Sequence, residues 1–374
     1  MLLRGLLWGA PSPGRFDPVH LISDPPVRVQ LTGRVLADAR RWDESCSVLL
    51  AVGWIDGRRQ EGRTELVLRP CPKPLLQGWR VQVEGVLRRP SPGPHPLLNG
   101  SAERLAARGS WSRLTSSRFD LLDRRWTPIA DLRRRIAIRF QDLAGRERGG
   151  LLAALVLGSA QVQLPSDLRQ MFRVAGLSHA LAASGFHLSV LIGAALVLSR
   201  RWTAPFRLAL AFLAMLLFLL LAGSQPSVVR AVLMVSMALL IRETGHRPRG
   251  FGVLLVAISL MLLMHPAWAR SIGFQLSAAA TAGLIVTSPG VEQWLQVHLP
   301  GRWHALAPAL SVPLAAMAWT LPLQLLHFGS TPLYALIANL LAAPLLAPLT
   351  LSALCLALLS LFMPSGVLLV LSWP

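Results

Sequence analysis

The sequence is poor in charge, in acid and in lysine. Charged residues make up 15% of its 374 positions, where a soluble domain carries about a quarter. With 53% hydrophobic residues, that shortfall excludes a chain that is a soluble globule throughout. Acidic residues number 18 against 37 basic ones, a formal net charge of +19. Such an excess suits an anionic partner, either nucleic acid or lipid headgroups. Lys73 is the one lysine, so arginine-rich coding is a competing source of the basicity. The opening run MLLRGLLWGAP is broken by Arg4. It is too short to span a bilayer and carries no signal-cleavage pattern. A P-loop is absent, and so is any HxHxDH metal motif. ATP hydrolysis and metal-dependent phosphodiester cleavage are left without their usual residues, so the expectation is no enzyme, no cofactor and no metal.

The charge that is present is unevenly spread. Residues 1–148 hold 26 basic and 15 acidic residues, which leaves 11 and 3 for residues 149–374. A polar N-terminal domain followed by a membrane domain accounts for the split.

After a lead-in over residues 1–26, residues 27–125 alternate in the manner of strands. VRVQLTGRV (27–35) puts Val27, Val29, Leu31 and Val35 on one face, with Arg28, Gln30, Thr32 and Arg34 on the other. CSVLLAVGWI (46–55) and RTELVLRPC (63–71) flank the polar DGRRQEG; WRVQVEGVLRR (79–89) alternates again, and a weaker run follows near 103–114. About five strands with turn signals point to a small antiparallel barrel of the OB type. A hairpin closing at Arg58–Arg59 would pair Leu49 with Leu68, Ala51 with Leu66 and Cys46 with Cys71. Cross-strand Cβ atoms lie about 4.5–5.5 Å apart, close to disulfide range, and a bridge there would put this domain outside the cytoplasm. The other reading is two free thiols. Trp42, Trp54 and Trp79, with Arg28, Arg34, Arg80 and Arg88, form a basic stacking surface for single-stranded nucleic acid, unless the tryptophans are core and the arginines merely solvated.

DLRRRIAIRFQDL (131–143) reads as an amphipathic helix, with Leu132, Ile136, Phe140 and Leu143 on one face. Within residues 126–148 it sits before the apolar region and suits the headgroup plane. Candidate spans follow at 176–198, 206–223, 225–242, 250–268, 270–288, 305–327 and 333–361, the last interrupted by Pro344 and Pro348. The short apolar stretch 149–164 suits a re-entrant segment, and the terminal SGVLLVLSWP resembles a span just beginning. The fold expected is a polytopic α-helical membrane domain of about seven or eight spans over 149–374, preceded by the OB-like domain. One set of loops carries Arg200, Arg201, Arg207, Arg242, Arg247, Arg249 and Arg302; the alternate set carries Arg270 alone. With the first set cytoplasmic, the β domain lies outside, in agreement with the cysteine argument.

Polar residues inside the apolar stretches are His179, Ser184, His187, Arg230, Gln275, Gln324, His327 and Asn339. Such groups at membrane depth are costly and face a bundle interior or a water-filled path. Gly185 and Gly193 permit close helix contact or local unwinding. Taken singly each polar residue reads as helix–helix glue; taken together they read as a lined pathway. A Ser184–His187 hydrolytic dyad lacks an orienting third group, and His179 with His187 lacks a carboxylate for metal.

LPSDLRQMFRVAGLSHALAASGFHLSVLIG (164–193), GSQPSVVRAVLM (223–234), SIGFQLSAAATAGL (271–284) and LPLQLLHFGSTPLYALIANLLAAPLLAP (321–348) resemble, in order and spacing, the ComEC family of DNA-uptake channels. The resemblance implies translocation of single-stranded DNA across the inner membrane during natural transformation. It implies a periplasmic DNA receptor and a cytoplasmic helicase as partners, with membrane lipids, a separate nuclease and a second copy of the chain as further candidates. His179, Ser184, Gly185, His187, Arg230, Gln275, Gln324 and Asn339 fall on its motifs. The sequence departs from the family in three ways: no spans precede the β domain, Ser159 stands where an acidic residue is usual, and Ala183 replaces a large aliphatic one. Many relatives end in a metallo-β-lactamase-like domain, so the channel domain reads as shortened at its C-terminus. The competing reading is a small-molecule or lipid permease, or a membrane scaffold.

Overall fold

The computed structural model describes residues 12–362, apart from 23–25, 27, 43, 72, 94–99, 330 and 333. The readings on the opening run, on Val27, on the Trp42 and Arg302 side chains and on SGVLLVLSWP lie outside the described residues. The chain divides into two compact units, Met1–Asp131 and Leu132–Pro374.

The first unit is built from β1 (Arg28–Val35), β2 (Arg40–Trp42), β3 (Ser45–Ile55), β4 (Arg58–Leu68), β5 (Trp79–Arg88), the short helix α1 (Ser101–Ala106), β6 (Ser112–Ser116) and β7 (Asp120–Arg124). β1 pairs with β3, β3 with β4, β4 in parallel with β6, β6 with β5, and β5 back with β1. Five strands close into a small barrel of the OB type, while β2 and β7 extend it beside β3 and β5. Period-two alternation sends Leu31, Leu50, Leu66, Val81 and Leu114 inward, where all are fully buried. Each such aliphatic side chain contributes about 1.5–3 kcal/mol. Gly53 is the extra residue of a bulge in β3, facing Thr32–Gly33 of β1. Gly33 lets the two strands approach there, since a Cβ on it would sit 2.8 Å from the Ala51 carbonyl oxygen.

Two sequence expectations need correction here. The β3–β4 turn is Asp56–Gly57, both with positive φ, the two-residue turn that Asp-Gly favours. Arg58–Gly62 therefore continues the strand. Leu49 pairs with Glu65 and Ala51 with Arg63, not with Leu68 and Leu66. Cys46 faces Leu68, and Cys71 lies beyond the strand end with its amide bonded to the Glu44 carbonyl. The weak run at 103–114 is helix first and strand only from Ser112, because SAERLA is made of helix formers.

The second unit runs through α2 (Pro128–Leu157), α3 (Ser166–Val174), α4 (Ser178–Leu181), α5 (Gly185–Leu198), α6 (Ala204–Ala222), α7 (Pro226–Glu243), α8 (Gly250–Met264), α9 (Ile272–Val286), α10 (Ser288–His298), α11 (Ala307–Phe328) and α12 (Ala335–Phe362). α2 breaks at Gly145, whose φ is 78°. Ile136 and Phe140, expected to face lipid headgroups, instead bury themselves against Ala153, Val156, Leu157, Ala353 and Ala357. Arg133 and Arg139 on the same helix donate to the Leu220 and Ser360 carbonyls, near the C-terminal ends of α6 and α12, where cations are favourable.

α6, α11 and α12 are long and apolar enough to cross a membrane, and α9 with α10, bent by 50°, makes a fourth candidate. The prolines at 344 and 348 do not interrupt α12. α5 and α8 have 14 and 15 residues; at 1.5 Å per residue they rise about 21–23 Å, short of a bilayer core of about 30 Å. The stretch 176–198 is not one helix, because it opens between α4 and α5.

Candidate functional site

The opening between α4 and α5 gathers polar residues within an otherwise apolar stretch. Ala182 and Ser184 have extended backbone, and Gly185 begins α5. Irregular backbone at membrane depth requires partners for its polar groups, and neighbouring segments provide them. The Leu181 carbonyl accepts the Ser159 amide at 2.7 Å, and the Ala183 carbonyl accepts the Ser227 hydroxyl at 3.0 Å. Gly158 presses against the same segment, since a Cβ there would lie 2.9 Å from that of Ala183. A small residue at 183 and a glycine at 158 thus fit one another. Ser227 and Gly158 were not singled out from sequence. Their signals were a hydroxyl in the first turn of an apolar helix and a glycine closing the LVLG run.

Ser184 Oγ and His187 Nδ1 are 2.9 Å apart. His187 is 1% exposed, and its Nε2 has no partner among the described residues. Among the described residues no third group orients the pair, as acyl transfer by such a dyad requires. His179, on the far side of the opening, is within electrostatic reach of His187. Among the described residues no three His, Cys, Asp or Glu side chains gather as metal ligands. Arg230, on α7, comes to the same place. It is 9% exposed and donates to the Ser277 carbonyl of α9. A Cβ on Gly185 would sit 3.8 Å from Arg230 Nη2 and 3.4 Å from the Ala231 Cβ. Ser184, Gly185, His187 and Arg230 therefore form one neighbourhood.

The remaining polar residues are elsewhere. Gln275 Oε1 meets His327 Nε2 at 2.7 Å, tying α9 to α11. Gln324 bonds Thr320 and Asn339 bonds the Ala335 carbonyl, each within its own helix. Gly193 faces open space, not a close helix contact.

On the barrel, Arg34 and Arg80 are cross-strand partners, and Arg28 lies opposite Val86 on the same pair of strands. All three side chains are exposed. Trp54, 45% exposed, stands opposite Thr32 of β1, so it shares this outer face. Arg88 lies apart, opposite Arg113, whose guanidinium pairs with Glu65 at 2.7 Å. Trp79 packs against the barrel core with Arg124 5.2 Å over its ring; it is a packing residue more than a platform. Trp111 and Arg89, unassigned from sequence, line a cavity of about 320 Å³ with His20 and Pro90. They were obscured because 103–114 read as a plain strand. Cys46 and Cys71 are joined by a disulfide with Cα atoms 5.6 Å apart.

Similar proteins bear on the helical unit. An uncharacterized protein, YcaI, of Escherichia coli K12 is 27% identical over 214 residues, covering 53% of this chain and 28% of that protein. ComE operon protein 3 of Bacillus subtilis 168 is 27% identical over 218 residues, covering 58% of this chain and 27% of that protein. An uncharacterized protein of Aquifex aeolicus VF5 is 28% identical over 197 residues, covering 52% and 43%. The chain thus spans less than half the length of these curated relatives. The competence protein family matches residues 155–374, more than half of the chain. This is a membrane protein with an OB-like barrel, and it belongs to the competence protein family.

Proposed function

We propose that this chain passes single-stranded DNA across the inner membrane during natural transformation. The observation that carries the reading is a competence-family helical unit joined in one chain to an OB-like barrel with Arg28, Arg34, Arg80 and Trp54 on its outer face. Barrels of this type bind oligonucleotides through outer strands and loops. A polyanion needs counter-charge with weak, sliding contacts, which exposed arginine beside a tryptophan supplies. The helical unit crosses the membrane about seven or eight times in this reading, with short helices completing a crossing in company with their neighbours. The disulfide supports an extracytoplasmic barrel, and the seven loop arginines support a cytoplasmic position for the loops that carry them. His179, Ser184, His187, Arg230, Gln275, Gln324 and Asn339 line the path. The chain itself is a conduit and not an enzyme. A receptor delivers DNA, a helicase draws it inward, and any nuclease acts as a separate partner.

The test is uptake of labelled double-stranded DNA by a transformable host that lacks this chain. The expected result is DNA held outside the inner membrane with none in the cytoplasm, restored by the wild-type chain. Unchanged cytoplasmic entry would overturn the reading and favour a small-molecule or lipid permease.

A further inference from the structure

The first turn of α5 is open where a helix is ordinarily capped. Ser184 stands at the cap position, but its hydroxyl bonds the His187 ring and not the amides of the turn. The amides of Gly185, Phe186 and His187 gain no acceptor from the cap, so the positive end of a 14-residue helix stays available. Beside it lies a buried cation. Arg230 is nine-tenths buried; Nη1 serves the Ser277 carbonyl, Nε has no partner among the described residues, and Nη2 lies 3.8 Å from where a Cβ on Gly185 would be. No carboxylate among the described residues pairs with it. Ser184 and Gly185 are themselves partly exposed, so the notch can be approached.

We propose that this notch binds a phosphodiester monoanion, held by the Arg230 guanidinium and the first-turn amides of α5. Helix N-termini with a nearby guanidinium suit phosphate oxygens, and neither group reads a base, so the site is indifferent to sequence. The inference rests on the DNA-uptake reading for its source, the backbone of the passing strand. Lipid headgroups carry the same chemical group and must be separated by experiment. Gly185 is then a specificity residue, because a side chain there would fill the notch.

The experiment takes the purified full chain in detergent and follows its unfolding temperature while dimethyl phosphate is titrated. The wild type should be stabilised, and Arg230→Gln should lose the response. Gly185→Ala fits its surroundings, with a Cβ at ordinary contact distance from Ala231. It should weaken apparent affinity by about tenfold, the effect of one charge-assisted hydrogen bond, and it decides the matter where Arg230→Gln fails to fold. Arg207→Gln, which breaks a pair with Glu243, should respond like the wild type. Oligothymidylate should give the same Arg230-dependent shift, and at a lower phosphate concentration than short-chain phosphatidylglycerol, which carries the same group. No wild-type shift, or an equal shift in Arg230→Gln and Gly185→Ala, would overturn the site; a shift with the lipid alone would overturn its assignment to DNA. If the notch fails, DNA entry still depends on the chain; if the uptake reading fails, the dimethyl phosphate shift remains.

Discussion

The two units solve opposite burial problems. In the barrel the inside is aliphatic and the outside polar: Leu31, Leu50 and Leu66 are buried while Arg28, Arg34 and Arg80 face out. In the helical unit the outward faces carry Leu213, Leu216, Leu217, Leu341 and Leu345, while His187, Arg230, Ser311 and Thr320 are buried. Large contiguous apolar surface is unusual on a soluble protein and ordinary for one surrounded by lipid, where the costly groups turn inward. The comparison teaches that burial means different things in one chain. A buried leucine stabilises the barrel by itself, whereas a buried arginine in the bundle is costly and needs a partner, which for Arg230 is the Ser277 carbonyl.

The sharpest way to break that contrast is to exchange the rules. Leu50→Ala should cost the barrel about 2–5 kcal/mol, seen as faster proteolysis of the barrel within the full chain. Leu216 faces out on α6, so Leu216→Ala should be nearly silent. Leu216→Arg should cost about 3 kcal/mol of insertion and deplete the carbonate-resistant membrane fraction. Full tolerance of Leu216→Arg would mean that this face meets water and the contrast is false.

Next in size is the covalent tie, which only the barrel has. Cys46→Ser should lower barrel stability by about 2–5 kcal/mol, and a reductant should do the same to the wild type. Neither should alter the membrane-inserted fraction, which reports on the helices.

A smaller effect sharpens the role of the barrel's outer face. Arg34→Ala with Arg80→Ala should weaken binding of single-stranded DNA by the full chain. It should also reduce the salt dependence of log K by about 0.7 for each phosphate that is no longer neutralised. An unchanged slope would leave those arginines as solvated surface. Smallest is a pH effect at Asp17, which caps the 3-10 turn Pro18–Leu21. Burial pushes its carboxyl up from 3.8, against the lowering effects of the Val19 amide and His20. A raised folded value means that this contribution is fully present below pH 3.8 and is lost as pH rises through the folded value. Asp17→Asn should flatten that part of the barrel's stability profile.

Much of the barrel was legible because a period of two is a local signal: Arg28–Val35 and Trp79–Arg88 alternate cleanly. Register was less so, because the choice between Asp56–Gly57 and Arg58–Arg59 as the turn shifts every pair along the strand. In the bundle, long apolar runs gave α6, α11 and α12 directly. The opening at Ala182–Ser184 was hidden, because its cause is nonlocal: Ser159, Ser227 and Gly158 hold it open from other segments. Ser184, Gly185, His187 and Arg230 stood out as polar or small residues in apolar surroundings, but their meeting is a property of packing. Gln324 and Asn339 stood out equally and bond within their own helices, so polarity alone did not show which residues meet.

The most direct measurement asks whether the opening is wet and on the path of the strand. In a Cys355→Ala background with the disulfide intact, Ser184→Cys and Leu216→Cys are exposed in intact cells to a small, membrane-impermeant thiol reagent. The account predicts that position 184 labels, that position 216 does not, and that DNA undergoing uptake protects position 184. Labelling at neither position, or labelling at 184 that DNA never changes, would contradict a polar path for DNA through this bundle.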